Sequence, residues 1–197
     1  ASRADISIPG VQEELVQALL DTGKPVVVVL MNGRPLTISK LTEQVPAIVE
    51  GWFLGTETGN AIADVLLGKY NPSGKLTMSF PRNVGQIPVF YNYRQSGRPG
   101  TDKLTKWTNR FIDSPVSPLY PFGYGLSYTT FSYSAPRVSQ KEFSANEILK
   151  VSVDVTNTGQ YDGEETIQLY IRDVIASVTR PVKELKGFKK IFLRKGE

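Results

Sequence analysis

Adjacent acidic pairs stand at Glu13/Glu14 and Glu164/Glu165, and paired carboxylates are a natural starting point for acid–base chemistry. A pair that works across a sugar bond must face it from two sides at roughly 5 to 9.5 Å. Neighbours on an amphipathic helix or at a β turn are instead expected to face water, so neither pair reads as catalytic. The sequence contains no histidine and no cysteine. That excludes Ser-His-Asp triads, Cys-His nucleophiles, disulfides and His- or thiolate-ligated zinc, and leaves carboxylates, Lys and Tyr as the available acids and bases. Lys24, ahead of an apolar run, reads as a loop cation. Gly123-Tyr124-Gly125 lacks the strand-and-helix frame of a dinucleotide loop. No metal site and no cofactor is expected.

The elements around these residues change character along the chain. Pro9 to Leu20 predicts a helix, with Val11, Leu15, Val16, Leu19 and Leu20 on one face and Gly23 suited to its C-terminal cap. Pro25 to Met31 is a β-branched run without polar alternation, which predicts a strand buried on both faces of a parallel sheet. Val45 to Phe53 carries a weaker strand signal. Gly55-Thr56-Glu57-Thr58 leads into a second helix ending at Gly68, and Leu76 to Phe80 predicts a short strand. This order argues for a layered α/β unit, too small to be whole, with its first strands expected upstream of Ala1.

From Arg82 to Pro121 periodicity is lost. The stretch is rich in aromatics (Phe90, Tyr91, Tyr93, Trp107, Phe111, Tyr120) and cations (Arg94, Arg98, Lys103, Arg110). Such side chains could line a sugar site or glue two domains together. Beyond Phe131 the pattern is all-β. Val151, Val153 and Val155 alternate with polar residues, as do Ile167, Leu169 and Ile171, with a turn-rich Asn157 to Gly163 between them. Phe131 to Val138 and Lys186 to Leu193 supply further strands. These are fewer than the about seven of an immunoglobulin-like sandwich, so closing strands are expected past Glu197. The division is residues 1–90 as part of an α/β-sandwich domain, 91–130 as an aromatic-rich connector, and 131–197 as an incomplete β-sandwich.

The chain has 197 residues, 40% of them hydrophobic, and a formal net charge of +4. The basic residues are scattered, with the densest group between Lys183 and Lys195 alternating with apolar strand residues. A nucleic-acid partner needs a coherent basic stripe, and none is expected. No run approaches the roughly 18 apolar residues of a membrane span, so no membrane partner is expected either. Pro72 disqualifies Asn71-Pro72-Ser73 as a glycosylation acceptor.

Three long segments, in this order, resemble glycoside hydrolase family 3, on the side of its periplasmic β-glucosidases. They are Lys24-Pro25-Val26-Val27-Val28-Val29-Leu30-Met31-Asn32-Gly33-Arg34-Pro35, then Trp52 to Gly68 running into Asn71-Pro72-Ser73-Gly74-Lys75-Leu76, and Tyr120-Pro121-Phe122-Gly123-Tyr124-Gly125-Leu126-Ser127-Tyr128-Thr129-Thr130-Phe131. The resemblance implies a barrel carrying an aspartate nucleophile, an α/β-sandwich domain contributing a glutamate acid–base on a loop, and a fibronectin type III-like domain. Family members carry that glutamate shortly before an Ala/Ser-rich stretch, an Arg and an Asp-Ile-x-Ile-Pro segment. Ala1-Ser2-Arg3-Ala4-Asp5-Ile6-Ser7-Ile8-Pro9 matches the downstream part, so both catalytic carboxylates are expected upstream of Ala1 and none within this chain. Ser2 and Arg3 are the candidate active-site neighbours.

The implied activity is that of a retaining, exo-acting β-glucosidase on β-glucosides or β-linked oligosaccharides, periplasmic or secreted. This chain would supply scaffold and active-site rim, inactive without its barrel partner, and a homodimer of the full-length enzyme is left open. The alternatives are a β-xylosidase or exo-β-glucanase of the same family, or a non-catalytic carbohydrate- or protein-binding module. In the resemblance, Trp52 and Gly55 are packing residues, Gly123 and Gly125 give backbone freedom between domains, and Tyr128 and Phe131 anchor the sandwich.

Overall fold

The structure, a computed structural model, describes residues 3–100, 109–144 and 146–197. Ser2, Lys103 and Trp107 therefore lie outside the described residues.

The first unit is built as α1 (Gln12–Leu20), β1 (Val27–Leu30), α2 (Ser39–Gln44), β2 (Ala47–Glu50) and α3 (Thr58–Leu66). Glu13 and Glu14 fill the first turn of α1, where carboxylates suit the positive end of the helix dipole. Gly23 follows its end at φ 72°, a conformation that a side chain disfavours. β1 and β2 pair in parallel, in register from Val27 with Ala47 to Leu30 with Glu50. α2 is the crossover between them, as a parallel pair requires. Leu30, Ile38, Leu41, Val45 and Phe80 form the core beneath this βαβ unit, with Trp52 and Val16 packed on it.

The expected burial of β1 on both faces is only partly met. Leu30 is buried, but Val27 and Met31 are exposed, as is the Val11–Leu15–Leu19 edge of α1. Among the described residues β1 pairs with β2 alone, so only the Val16–Leu20 edge of the helix finds apolar cover.

The expected strand at Leu76 to Phe80 does not form a regular element. Its backbone instead makes a broken antiparallel ladder with the connector: Leu76 N–H to the Tyr124 carbonyl at 2.8 Å, Gly123 N–H to that of Leu76 at 2.7 Å, and Phe80 N–H to that of Tyr120 at 2.8 Å. Within the aromatic stretch, Tyr91 stacks on Phe122 at 4.2 Å and meets Tyr170 edge-on at 6.0 Å. For Tyr91, gluing two units together is the role seen.

The second unit contains β3 (Phe131–Tyr133), β4 (Arg137–Val138), β5 (Val151–Ser152), β6 (Val155–Asn157), β7 (Gly163–Ile171) and β8 (Glu184–Leu193). They pair antiparallel as β3 with β6, β4 with β5, and β7 with β8. The segment Phe131 to Val138 and the alternating run through Val151, Val153 and Val155, each expected to be one strand, are each split in two. The break at Asp154 is held by a two-pronged Arg137 pair at 2.7 and 2.8 Å, and by hydrogen bonds exchanged with Ser134 at 3.0 Å. Asn157 is fully buried, and both ends of its amide are used. Thr129 Oγ1 and Gly159 N–H donate to its oxygen, while its nitrogen donates to the Tyr161 and Leu193 carbonyls.

Phe80, 2% exposed, touches Trp52 at 5.9 Å and Tyr120 at 6.3 Å between ring centres. Phe80→Ala is expected to cost roughly 3–5 kcal/mol of unfolding free energy, read from urea melts of the protein carrying this chain. A loss below about 1 kcal/mol would show that this cluster is not the core.

Candidate active-site rim

In open parallel sheets, ligands bind beyond the carboxyl ends of the strands. Here those ends run into Met31-Asn32-Gly33-Arg34 after β1 and Gly51-Trp52-Phe53 after β2. Gly51 N–H continues the ladder to the Leu30 carbonyl at 2.8 Å, so the two turns leave the sheet side by side. Asn32 Nδ2 donates to the Arg34 carbonyl at 2.8 Å, which shapes the first turn. In the second, Glu50 Oε1 accepts from Trp52 N–H at 2.9 Å. Trp52 has φ 49°, the left-handed region that a bulky residue adopts only when its surroundings enforce it.

Phe53, 86% exposed, lies across Gly33, where a Cβ would sit 2.6 Å from its ring. A side chain at position 33 would displace that ring.

The segment after Ser2 is clamped to this same end of the sheet. Arg34 Nη2 donates to the Arg3 carbonyl, and Thr37 N–H donates to the carbonyl of buried Ile6 at 2.9 Å. Ser7 bridges in parallel to Thr37. Arg3, Asp5, Asn32, Arg34 and Phe53 thereby line one open groove of about 570 Å³. The backbone and hydroxyl of Ser7 lower the Asp5 carboxyl below the ordinary range, with a smaller contribution from the Arg3 charge.

Of the sequence candidates, Arg3 is exposed at the rim and Ser2 lies outside the described residues. Glu13 and Glu14 face solvent, Glu13 across from Lys40 at 4.0 Å. Glu164 and Glu165 do not behave as expected. Glu165 is 8% exposed, and both are engaged by partners from the first unit. Consecutive residues on a strand point to opposite faces, and each of the two carboxylates meets partners on its own face of β7.

Glu50 is the group that sequence reasoning missed, because an acid ahead of a glycine carries no periodic signal. Its Oε2 and Asn32 Oδ1 are buried with no hydrogen-bond partner among the described residues. Burial is the main effect raising the Glu50 carboxyl above its ordinary value, opposed by the Trp52 N–H and Asn32.

The family follows from comparison with known proteins. Residues 1–128 match the glycosyl hydrolase family 3 C-terminal domain, and residues 165–197 match the fibronectin type III-like domain. The chain belongs to glycoside hydrolase family 3. It is 56% identical to a periplasmic beta-glucosidase of Salmonella typhimurium, over all of this chain and 26% of that protein. It is 52% identical to a beta-xylosidase of Formosa agariphila, over 99% of this chain and 26% of that one. A crystal structure of a beta-glucosidase from Listeria innocua in complex with isofagomine superposes with a TM-score of 0.94 at 47% identity, covering 100% of this chain and 28% of its own. The chain thus spans about a quarter of the length of the relatives it matches. The α/β plus fibronectin-like arrangement is that of this family 3 region.

A carboxyl raised on folding stabilises the fold at low pH, and that contribution is lost as pH climbs through the raised value. Relative to Glu50→Gln, which keeps the acceptor for Trp52, the wild-type protein is therefore expected to lose stability from the ordinary carboxylate range upward. Urea midpoints at several pH values would check it. Parallel pH curves for the two proteins would refute it.

Proposed function

We propose that this chain is the C-terminal part of a retaining, exo-acting β-glucosidase that releases terminal β-linked glucose, and that it supplies scaffold and active-site rim. One observation carries the reading: 56% identity across the whole chain to a relative named as a periplasmic beta-glucosidase. The clamped Arg3–Pro9 segment at the carboxyl end of β1 and β2 supports it, because chain preceding Arg3 would emerge at the rim. There the glutamate acid–base would stand, facing an aspartate nucleophile on an upstream barrel. In the retaining reaction the nucleophile forms a glycosyl–enzyme intermediate, while the second carboxyl protonates the leaving oxygen and then activates water.

Residues 1–90, 91–130 and 131–197 serve in this reading as the later α/β sandwich, the connector and the fibronectin-like domain. The uncovered Val11–Leu15–Leu19 edge of α1 is where upstream chain would pack. The periplasmic relative favours the periplasm as the compartment. A β-xylosidase is the second reading, favoured by the 52% identical Formosa protein. A free-standing binding module accords poorly with an uncovered helix edge and a two-stranded parallel sheet.

The full-length protein is expected to turn over an aryl β-glucoside faster than the xyloside, and residues 1–197 alone to turn over neither. Activity of the isolated chain would overturn the proposal, and preference for the xyloside would select the second reading. Arg3→Ala in the full-length enzyme is expected to lower kcat and move the basic limb of the pH–rate profile upward by roughly one unit, since removing a nearby cation raises a carboxyl's pKa. An unchanged rate and profile would remove Arg3 from the site.

A further inference from the structure

We propose that Glu164 and Glu165 latch the fibronectin-like sheet onto the α/β unit, so that the two move as one body and the sandwich acts as a fixed brace rather than a tethered binding module. Neighbours on β7, the two side chains leave on opposite faces and reach different partners. Glu164 Oε2 accepts from the Tyr70 hydroxyl at 3.0 Å and the Ser73 hydroxyl at 3.1 Å, with Lys190 of β8 at 3.6 Å. Glu165 Oε1 accepts from the Tyr133 hydroxyl of β3 at 2.7 Å, and its Oε2 pairs with Lys75 at 3.2 Å. The Lys75 ammonium also donates to the Gly125 carbonyl at 2.9 Å. One buried ion pair thus ties together the α/β turn, the connector, β3 and β7.

Flanking bonds extend the joint. Thr166 Oγ1 donates to the Ser73 carbonyl at 3.0 Å, Asn71 Nδ2 to that of Asp162 at 2.9 Å, and Gln168 Nε2 to that of Gly123 at 3.0 Å. The approach is close enough to need glycine. A Cβ on Gly125 would lie 2.2 Å from the Gly74 carbonyl oxygen, and one on Gly163 would lie 2.7 Å from Asn71 Nδ2.

The charged and titratable groups facing the latch are Tyr70 and Lys190 for Glu164, and Lys75 and Tyr133 for Glu165. Burial first, then Glu165, holds the Tyr133 phenol protonated well above its ordinary range, so it remains a donor. The Tyr70 hydroxyl, reinforced by Ser73 and Lys190 against some desolvation, holds the Glu164 carboxyl below the ordinary value. A lowered carboxyl contributes stability above its unfolded value and loses it as pH falls through the folded one. The latch therefore loosens on the acid side.

Amide hydrogen exchange on the full-length protein tests this without reference to which glycoside it cleaves. Lys75→Met or Glu165→Gln breaks a pair whose side chains are 15% and 11% exposed. Exchange is expected to speed by about a hundredfold together in residues 71–76, 123–126 and 163–168. Glu164→Gln is expected to give a smaller effect and to abolish the acid-side loosening, and as the more exposed site it serves where Glu165→Gln does not fold. Faster exchange in β7 alone would overturn the one-body joint. Wild-type protection at the joint that holds on acidification until the whole protein unfolds would overturn the acid-sensitive latch.

Discussion

A carboxylate taken out of water must be met by charge and by hydrogen bonds, or it destabilises the fold that buries it. Glu165 is in that position, and its two oxygens are met from two sides, by Tyr133 and by Lys75. That requirement fixes much else. Lys75 can reach only if the Asn71–Lys75 turn lies against β7, and the turn can lie there only because Gly125 and Gly163 leave room. The fibronectin-like sheet is therefore seated by a polar contact with definite geometry, where an apolar face would tolerate sliding.

The α/β unit is constrained differently. A parallel strand buries both faces and needs neighbours on its edges. β1 obtains β2, the α2 crossover and part of α1, while Val27, Met31 and the outer edge of α1 stay exposed. The hydrophobic effect is not satisfied there by the described residues. That imbalance agrees with relatives about four times the length of this chain.

Periodicity made the regular elements legible. The β-branched run at Val26–Leu30 marked β1, the helical spacing marked α1 and α3, and the alternation at Ile167, Leu169 and Ile171 marked β7. α2 escaped notice because six residues with Leu41 as the one buried apolar side chain carry too little pattern. The split at Val153–Asp154 escaped because alternation continues across it, while the partner strand changes from β4 to β3. At Ser134–Pro136 the partner changes likewise, from β6 to β5. Glu164 and Glu165 were misjudged for a related reason. Sequence shows that two acids are adjacent, and only the fold shows that Tyr70 and Lys75, some ninety residues earlier in sequence, are waiting for them. Arg3 could be singled out from its motif, and the structure ties its carbonyl to Arg34 beyond β1. Glu50 could not, since its significance rests on the backbone of Trp52.

The rim and the joint are parts of one packed path. Trp52, forced into a left-handed turn by the β2 exit, rests on Phe80. Phe80 is pinned through its backbone to Tyr120, whose ring stacks on Tyr124 at 5.0 Å. The Tyr124 carbonyl takes the Leu76 N–H, one residue past the lysine that meets Glu165. Contiguity of packing does not by itself establish energetic coupling, but it does limit what can move alone. A shift of the sandwich would have to carry the Tyr120–Gly125 connector, and with it the wall on which Trp52 lies. Under the proposed function the rim would hold a carboxyl against a sugar bond, where a misplacement of about 1 Å costs on the order of a hundredfold in rate, and a brace anchored by charge at the far end would then be a physical reason for the non-catalytic domain.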